Sequence, residues 1–556
     1  MDIDFRYYLN IGIGSSCFIA NARYSDEVTK EGTVMMKLPE ETEKVERYVL
    51  INGNILTMDS LDRRAQAIAV ENGRIIRVGS HTDMSAFQDW QHYDLEGKTL
   101  LPGFIDCHSH LDFTGIMQVS LYGGDLKSID GIINKIIEVA KITPYGQVIT
   151  MFGVKEVDMK EGRSPNRYDL DQATINHPVV IVNYTGHQTY INSHAIQYFD
   201  VKTTMHGVDA QDGEITGVLR DPISVDFFVK AIARVPEDEI LKGVIKAAYL
   251  ALYNGVTTIH TMQGGMGLEK NTENMLTTQK QLPIHLVIWE QSNDVEKVLK
   301  LKLPRIGGCG EMQADGELGS CTAALFEPCL NRDCGCDTLI YSQEYWDELV
   351  LKAHQNHLQF AAHAEAEAGI EAVLVAIEKA QIEYPRSDAR HRIEHLELPT
   401  MDQLDRMAKN GVIASVQPAF LDMSPEEIKD TYEMYGKVRM ERFNPLRSIY
   451  ERGVVLVGGS DSPVTPYDPI LGIHCAVNHP LPQERLSVKE AIKMFTINAA
   501  YSAFEEKEKG TLEEGKIADM VVVSCDPYDV AIENIYEKIK VEYIFVAGKA
   551  YNRVKI

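Results

Sequence analysis

The pattern of apolar positions along the chain has two textures. From Tyr48, short β-branched runs are cut by Asn-Gly pairs. Tyr48-Val-Leu-Ile51 precedes Asn52-Gly53, Ala67-Ile-Ala-Val70 precedes Asn72-Gly73, and Arg74-Ile-Ile-Arg-Val78 follows. Apolar runs punctuated in this way are hairpin signals. The same texture returns near the far end, in Met520-Val-Val-Val523 and Val541-Glu-Tyr-Ile-Phe-Val546 ahead of Gly548. The pattern predicts one small β-sandwich built from both ends of the chain, residues 47–102 and 508–556.

Between the ends, short apolar runs alternate with stretches of helical spacing, the arrangement of a parallel α/β sheet. Eight strand candidates follow in order, at 103–107, 256–260, 284–289, 308–313, 358–362, 391–394, 412–417 and 454–458. Trp346, Leu349, Val350 and Ala353 form one intervening helical face. Eight strands with helices between them predict an α/β fold of the (β/α)8 TIM-barrel type over residues 103–507. The gap after the first strand is too long for one helix, so residues 112–237 are expected as an inserted lobe acting as a lid. Residues 1–46 show no sustained periodicity and are read as an extension of unknown role.

Composition narrows the function classes. The chain has 556 residues, 44% hydrophobic and 24% charged, as in a folded globular protein. Fifty-five Lys and Arg against 81 Asp and Glu leave a net charge of −26, which repels nucleic acid and anionic lipid. No stretch reaches the roughly 18 apolar residues of a membrane span. Ala20-Asn21-Ala22 imitates a signal-cleavage site, but Asp2 and Asp4 stand where a signal peptide carries positive charge. A cytoplasmic protein is expected, with a small-molecule substrate as its partner and a homo-oligomer left open. The nine cysteines form no repeating framework. Five of them (Cys309, Cys321, Cys329, Cys334 and Cys336) crowd into one segment. Cys329, Cys334 and Cys336 have the number for a structural zinc but lack a C-x-x-C pair, so free thiols in a loop are expected.

The candidate chemistry lies at strand ends. In His108-Ser109-His110 the two imidazoles are two residues apart after the first strand, so both can face one point. His363 ends the fifth strand candidate, His395 the sixth, and Asp461 follows the eighth. Barrel enzymes place their active sites at this C-terminal face. Four histidines and a carboxylate converging there suit zinc, iron or manganese.

At these residues a resemblance becomes specific. Leu101-Pro-Gly-Phe-Ile-Asp-Cys-His-Ser-His110 resembles the opening motif of the metal-dependent amidohydrolase superfamily. Gly186-His-Gln-Thr-Tyr-Ile-Asn-Ser193, Ala314-Asp-Gly-Glu-Leu-Gly-Ser320, His391-Arg-Ile-Glu-His395 and Gly459-Ser-Asp-Ser-Pro463 are similar to its amidohydrolase-3 branch, the YtcJ-like and N-substituted formamide deformylase-like enzymes. The resemblance implies His108, His110, His363, His395 and Asp461 as metal ligands. For His187 it implies a donor to a developing oxyanion, with a capping role in the inserted lobe as the open alternative. One position departs from the pattern. Where the family carries a lysine four residues before Asp-Gly, this chain has Glu311, ahead of Asp315-Gly316. Glu311 as a ligand bridging two metals, and a single-metal site without it, are both open at this point.

These residues imply hydrolysis of a carbon–nitrogen bond in a small, partly apolar substrate. Asp461 would move the proton, and zinc is the first expectation for the metal, as one ion or two. An esterase or deaminase on the same site, or a catalytically silent binding relative, are the competing readings.

Overall fold

The computed structural model describes residues 46–155, 159–184, 186, 188–220, 223–265, 268, 270–319, 322–330 and 339–552. Most of the N-terminal extension, residues 1–45, lies outside them. The described chain divides into two compact units. One runs over Asp112–Ala247, and the other contains the terminal β-strands and the barrel.

Both ends of the chain meet in one β-sheet. Thr99–Pro102 pairs antiparallel with Met520–Val523, Met520 facing Pro102 and Val523 facing Thr99. This six-stranded sheet also holds Asn54–Leu56, Val541–Val546 and Lys549–Asn552. A four-stranded sheet holds Arg47–Ile51, Ala67–Glu71, Arg74–Gly79 and Gln91–Asp94. The core joins the two: Tyr48, Leu50 and Val70 pack with Met520, Val522 and Phe545. Each such side chain, once buried, contributes about 1.5–3 kcal/mol, so the apolar faces themselves hold together segments far apart in sequence. Asn72 and Gly73 both have positive φ, 50° and 79°, and form the two-residue turn between Glu71 and Arg74. Asn52-Gly53 is not a hairpin. Arg47–Ile51 belongs to the smaller sheet and Asn54–Leu56 to the larger, so here the chain crosses between sheets.

The barrel strands are β1 Phe104–Ser109, β2 Val256–Gln263, β3 His285–Glu290, β4 Arg305–Gln313, β5 Gln359–Ala366, β6 Arg392–Leu398, β7 Ile413–Val416 and β8 Leu456–Gly458. They form one eight-stranded sheet in chain order, parallel at every pairing. A parallel bridge between Ser109 and Ser462 links the far ends of β1 and β8 and nearly closes the sheet. Strands β5 and β6 are buried throughout, as expected of strands covered on both faces.

The inserted unit runs over Asp112–Ala247. It carries its own six-stranded mixed sheet, in which Val179–Asn183 pairs parallel with Ile149–Val154 on one side and antiparallel with Gln188–Ile191 on the other. Ile132 and Ile136 of the helix Ile129–Ala140 pack in its core with Met151, Val154 and Tyr190. Its far bound, Ala247, falls within the 17-residue helix Glu237–Tyr253.

Candidate metal centre

The centre is assembled from the C-terminal ends of β1, β4, β5, β6 and β8. His108 lies fully buried one residue before the end of β1, and His110 follows the strand. Asp461 follows β8, its N–H donating to His108 O at 2.7 Å, while the His110 N–H donates to Ser462 O at 2.8 Å. These two bonds tie the ends of β8 and β1 together and set Asp461 Oδ1 at 3.3 Å from His108 Nε2 and 3.2 Å from His110 Nε2. Asp461 and His395 both hold left-handed backbone, φ 54° and 72°. Non-glycine residues adopt it only where their surroundings compel it.

A sixth donor stands in the middle, Cys309. Its Sγ lies 3.4 Å from both His108 Nε2 and His395 Nε2, and 4.0 Å from His363 Nδ1. Three overlapping groups of donors, each within 4.8 Å, result: His108, His110 and Cys309; Cys309, His363 and His395; His108, His395 and Asp461.

Glu311 is not brought into this cluster. Its carboxylate accepts from the Asn293 N–H at 3.3 Å, and no donor group among the described residues contains it. The cause is a bulge in β4. Gly308 pairs with Ala362, yet the next pair is Gln313 with His363, so residues 309–312 have no partners on β5. Gly307 and Gly308 make the bulge with φ of 110° and 111°. A Cβ at Gly307 would lie 1.8 Å from Ala361 O, and one at Gly308 2.3 Å from Met262 Sδ. Counting back from Asp315 treats β4 as regular; the bulge turns Cys309 inward in place of Glu311. The run Gly307-Gly-Cys-Gly310 was the sequence signal for it. Cys309 is therefore not a loop thiol. Cys329, also expected free, is disulfide-bonded. Cys321, Cys334, Cys336 and His187 lie outside the described residues.

The outer nitrogens of three histidines are occupied. His108 Nδ1 meets Glu394 Oε2 at 2.7 Å, His395 Nδ1 meets Gln417 Oε1 at 2.8 Å, and His363 Nε2 meets Gly316 O at 2.9 Å. Each outer nitrogen faces an acceptor and so carries the proton, which leaves the inner lone pair free to coordinate. Glu394 is itself fixed by Arg392, at 2.7 and 2.8 Å, with both side chains fully buried. Burial favours the neutral acid, but Arg392 and His108 hold Glu394 down to about 2. Asp315 accepts three N–H groups, from Ala324, Glu365 and Ala366, each at 3.0 Å, and orders the loop after β4.

The donor set calls for a cation. Burial works against charge on His110 and His363, yet Asp461 and Cys309 raise the first, and Cys309 and Asp315 the second, each to about 9. Burial likewise opposes the Cys309 thiolate, and His108 and His395 bring the thiol well below its ordinary value. Inward lone pairs around a thiolate and a carboxylate fit a divalent metal, which supplies that positive charge without the protons.

The amidohydrolase family profile matches residues 91–550. The chain belongs to the amidohydrolase family. It lies in the amidohydrolase-3 branch and is by that membership a hydrolase. YtcJ of Bacillus subtilis is 29% identical over 506 residues, covering 86% of this chain and 94% of YtcJ. N-substituted formamide deformylase of Arthrobacter pascens is 25% identical over 541 residues, covering 88% of this chain and 95% of the deformylase. An uncharacterized metal-dependent hydrolase from Pyrococcus furiosus shares the fold with a TM-score of 0.70 at 26% identity, covering 87% of this chain and 100% of that one.

Proposed function

We propose that this amidohydrolase is a zinc-dependent enzyme that hydrolyses a carbon–nitrogen bond of amide type. The observation that carries the reading is the inward convergence of His108, His110, His363 and His395 on Cys309, with Asp461 beside His108 and His395. The similarity to a formamide deformylase and to a metal-dependent hydrolase supports it.

His108, His110, His363, His395, Cys309 and Asp461 would hold the metal. A soft thiolate among imidazoles favours zinc, with iron next, over manganese. When bound, such a metal supplies a water acidic enough to ionise near neutral pH and a Lewis acid for the substrate carbonyl.

The remaining work belongs to side chains. Asp461 stands beside both β1 histidines at the strand ends, placed to take a proton from the attacking water and return it to the leaving nitrogen. An amide nitrogen leaves poorly until protonated, so this return matters more for an amide than for an ester. Glu394 and Gln417 keep the histidines in the tautomer that points a lone pair inward.

The test is a panel of formamides, acetamides, matched esters and primary amines, assayed on protein of known metal content. Turnover of amides above esters and amines supports the reading; turnover of esters alone, or of nothing by metal-replete protein, rejects it.

A further inference from the structure

Gln291 stands just past the C-terminal end of β3 and continues its ladder, its N–H donating to Gln263 O at 2.8 Å. Two residues earlier, Trp289 lies across the barrel interior, its ring 4.7 Å from the Arg392 guanidinium of β6. Side chains two apart on extended chain point the same way, so Gln291 also faces inward, one layer nearer the mouth. It is fully buried. Its Oε1 stands against the β4 bulge: a Cβ at Gly310, the residue after Cys309, would lie 3.3 Å from it. Gln291 thus borders the metal centre without belonging to its donor groups.

The two ends of this side-chain amide differ. Nε2 donates to Gly264 O at 3.2 Å, and only the NH2 end can meet a carbonyl, so the amide is held one way round. Oε1 has no hydrogen-bond partner among the described residues. The loop after β2 is shaped to keep it so. Gly264 and Gly265 take left-handed φ of 74° and 65°, and a Cβ at Gly265 would lie 2.7 Å from Gln291 O. Both donors of Gln291 that face this loop are therefore spent, and one fixed acceptor is left over. A buried acceptor without a donor is destabilising, and a ligand that brings an N–H relieves it. An amide carries that group beside its scissile bond; an ester, a ketone or a tertiary amide does not.

We propose that Gln291 is a specificity-determining residue of the site, its Oε1 accepting the N–H of the scissile amide. The inference deepens the proposed amide hydrolysis and rests on it for the reaction at the neighbouring metal. It narrows the substrate to a primary or secondary amide and sets tertiary amides and esters aside.

The test uses zinc-loaded protein and two probes of matched shape, N-benzylacetamide and 4-phenylbutan-2-one, in which a methylene replaces the N–H. Dissociation constants come from ligand-observed NMR titrations, and acetate released in the same spectra reports turnover. Wild type should bind the amide at least about ten-fold more tightly, because the ketone leaves the acceptor unpaired. Gln291→Met fills similar space without the acceptor. With metal content and circular dichroism unchanged, it should bind the two probes within about two-fold of each other, and the ketone as tightly as wild type does. Gln291→Leu takes its place if the methionine variant loses metal or fold. Any wild-type result other than tighter amide binding overturns the assignment, whether or not the variants fold, as does a preference that survives in a folded variant. Amide turnover without N–H preference would reject the role of Gln291 alone. Preference for the N–H with no turnover of any amide in the panel would reject the proposed reaction and leave the role of Gln291 standing.

Discussion

His108 presents Nδ1 to Glu394 Oε2 at 2.7 Å, and neither side chain is exposed. The pair spans the barrel from β1 to β6, and Arg392 completes it by gripping both Glu394 oxygens. The chain thus fixes the direction of a lone pair through two residues that are not donors themselves. Glu394→Gln keeps an acceptor but loses the charge. It should weaken zinc binding about ten- to a hundred-fold, read by competition with a chromophoric chelator. Unchanged zinc affinity would make Glu394 a purely structural partner of Arg392.

Cys309 should be a ligand. Cobalt-loaded wild type should show the near-ultraviolet absorption of a sulfur–cobalt bond, and Cys309→Ser should lack it while keeping part of its metal. A spectrum unaltered by the substitution would leave the thiol beside the metal rather than on it.

Glu311 should be dispensable for metal, because the β4 bulge directs it to Asn293. Glu311→Gln should bind as many equivalents as the wild type, counted by elemental analysis. Loss of one equivalent would restore Glu311 to the ligand set.

The barrel was legible from sequence because each strand is a short apolar run, and the donors after β1, β5, β6 and β8 are histidines or an aspartate at run ends. The composite sandwich was legible through its repeated β-branched texture. The rest depended on tertiary geometry. Asn52-Gly53 looks like Asn72-Gly73, but whether a strand folds back or crosses to the opposite sheet is decided by packing. Cys309 was hidden because spacing assumes a regular strand; the glycines at 307, 308 and 310 mark a local irregularity, but that it turns Cys309 inward over residues 309–312 depends on the pairing with β5.

Stability should fall with acid through His479. Its Nε2 meets Asn444 O at 2.9 Å, and its Nδ1 accepts from the Leu481 N–H at 3.0 Å, so the neutral ring is the one that fits. Burial pushes its pKa down to about 4, below the ordinary 6.5. The unfolded chain then binds the proton first. The contribution is complete above about pH 6.5 and is lost as pH falls toward 4, at most roughly 3 kcal/mol. The stability gap between wild type and His479→Gln, from urea midpoints, should therefore shrink over that window; a gap independent of pH would contradict the assignment.

The central claim is that the centre hydrolyses an amide with Asp461 as the proton carrier. Its most direct test is kcat for one amide by wild type and Asp461→Asn, each stripped of metal and then titrated with zinc. Wild-type activity should be absent without metal and rise in step with bound zinc. Asp461→Asn, at the same zinc content, should be slower by about 10²- to 10⁴-fold. Activity that persists after metal removal, or a zinc-replete Asp461→Asn protein with near-normal kcat, would contradict the account.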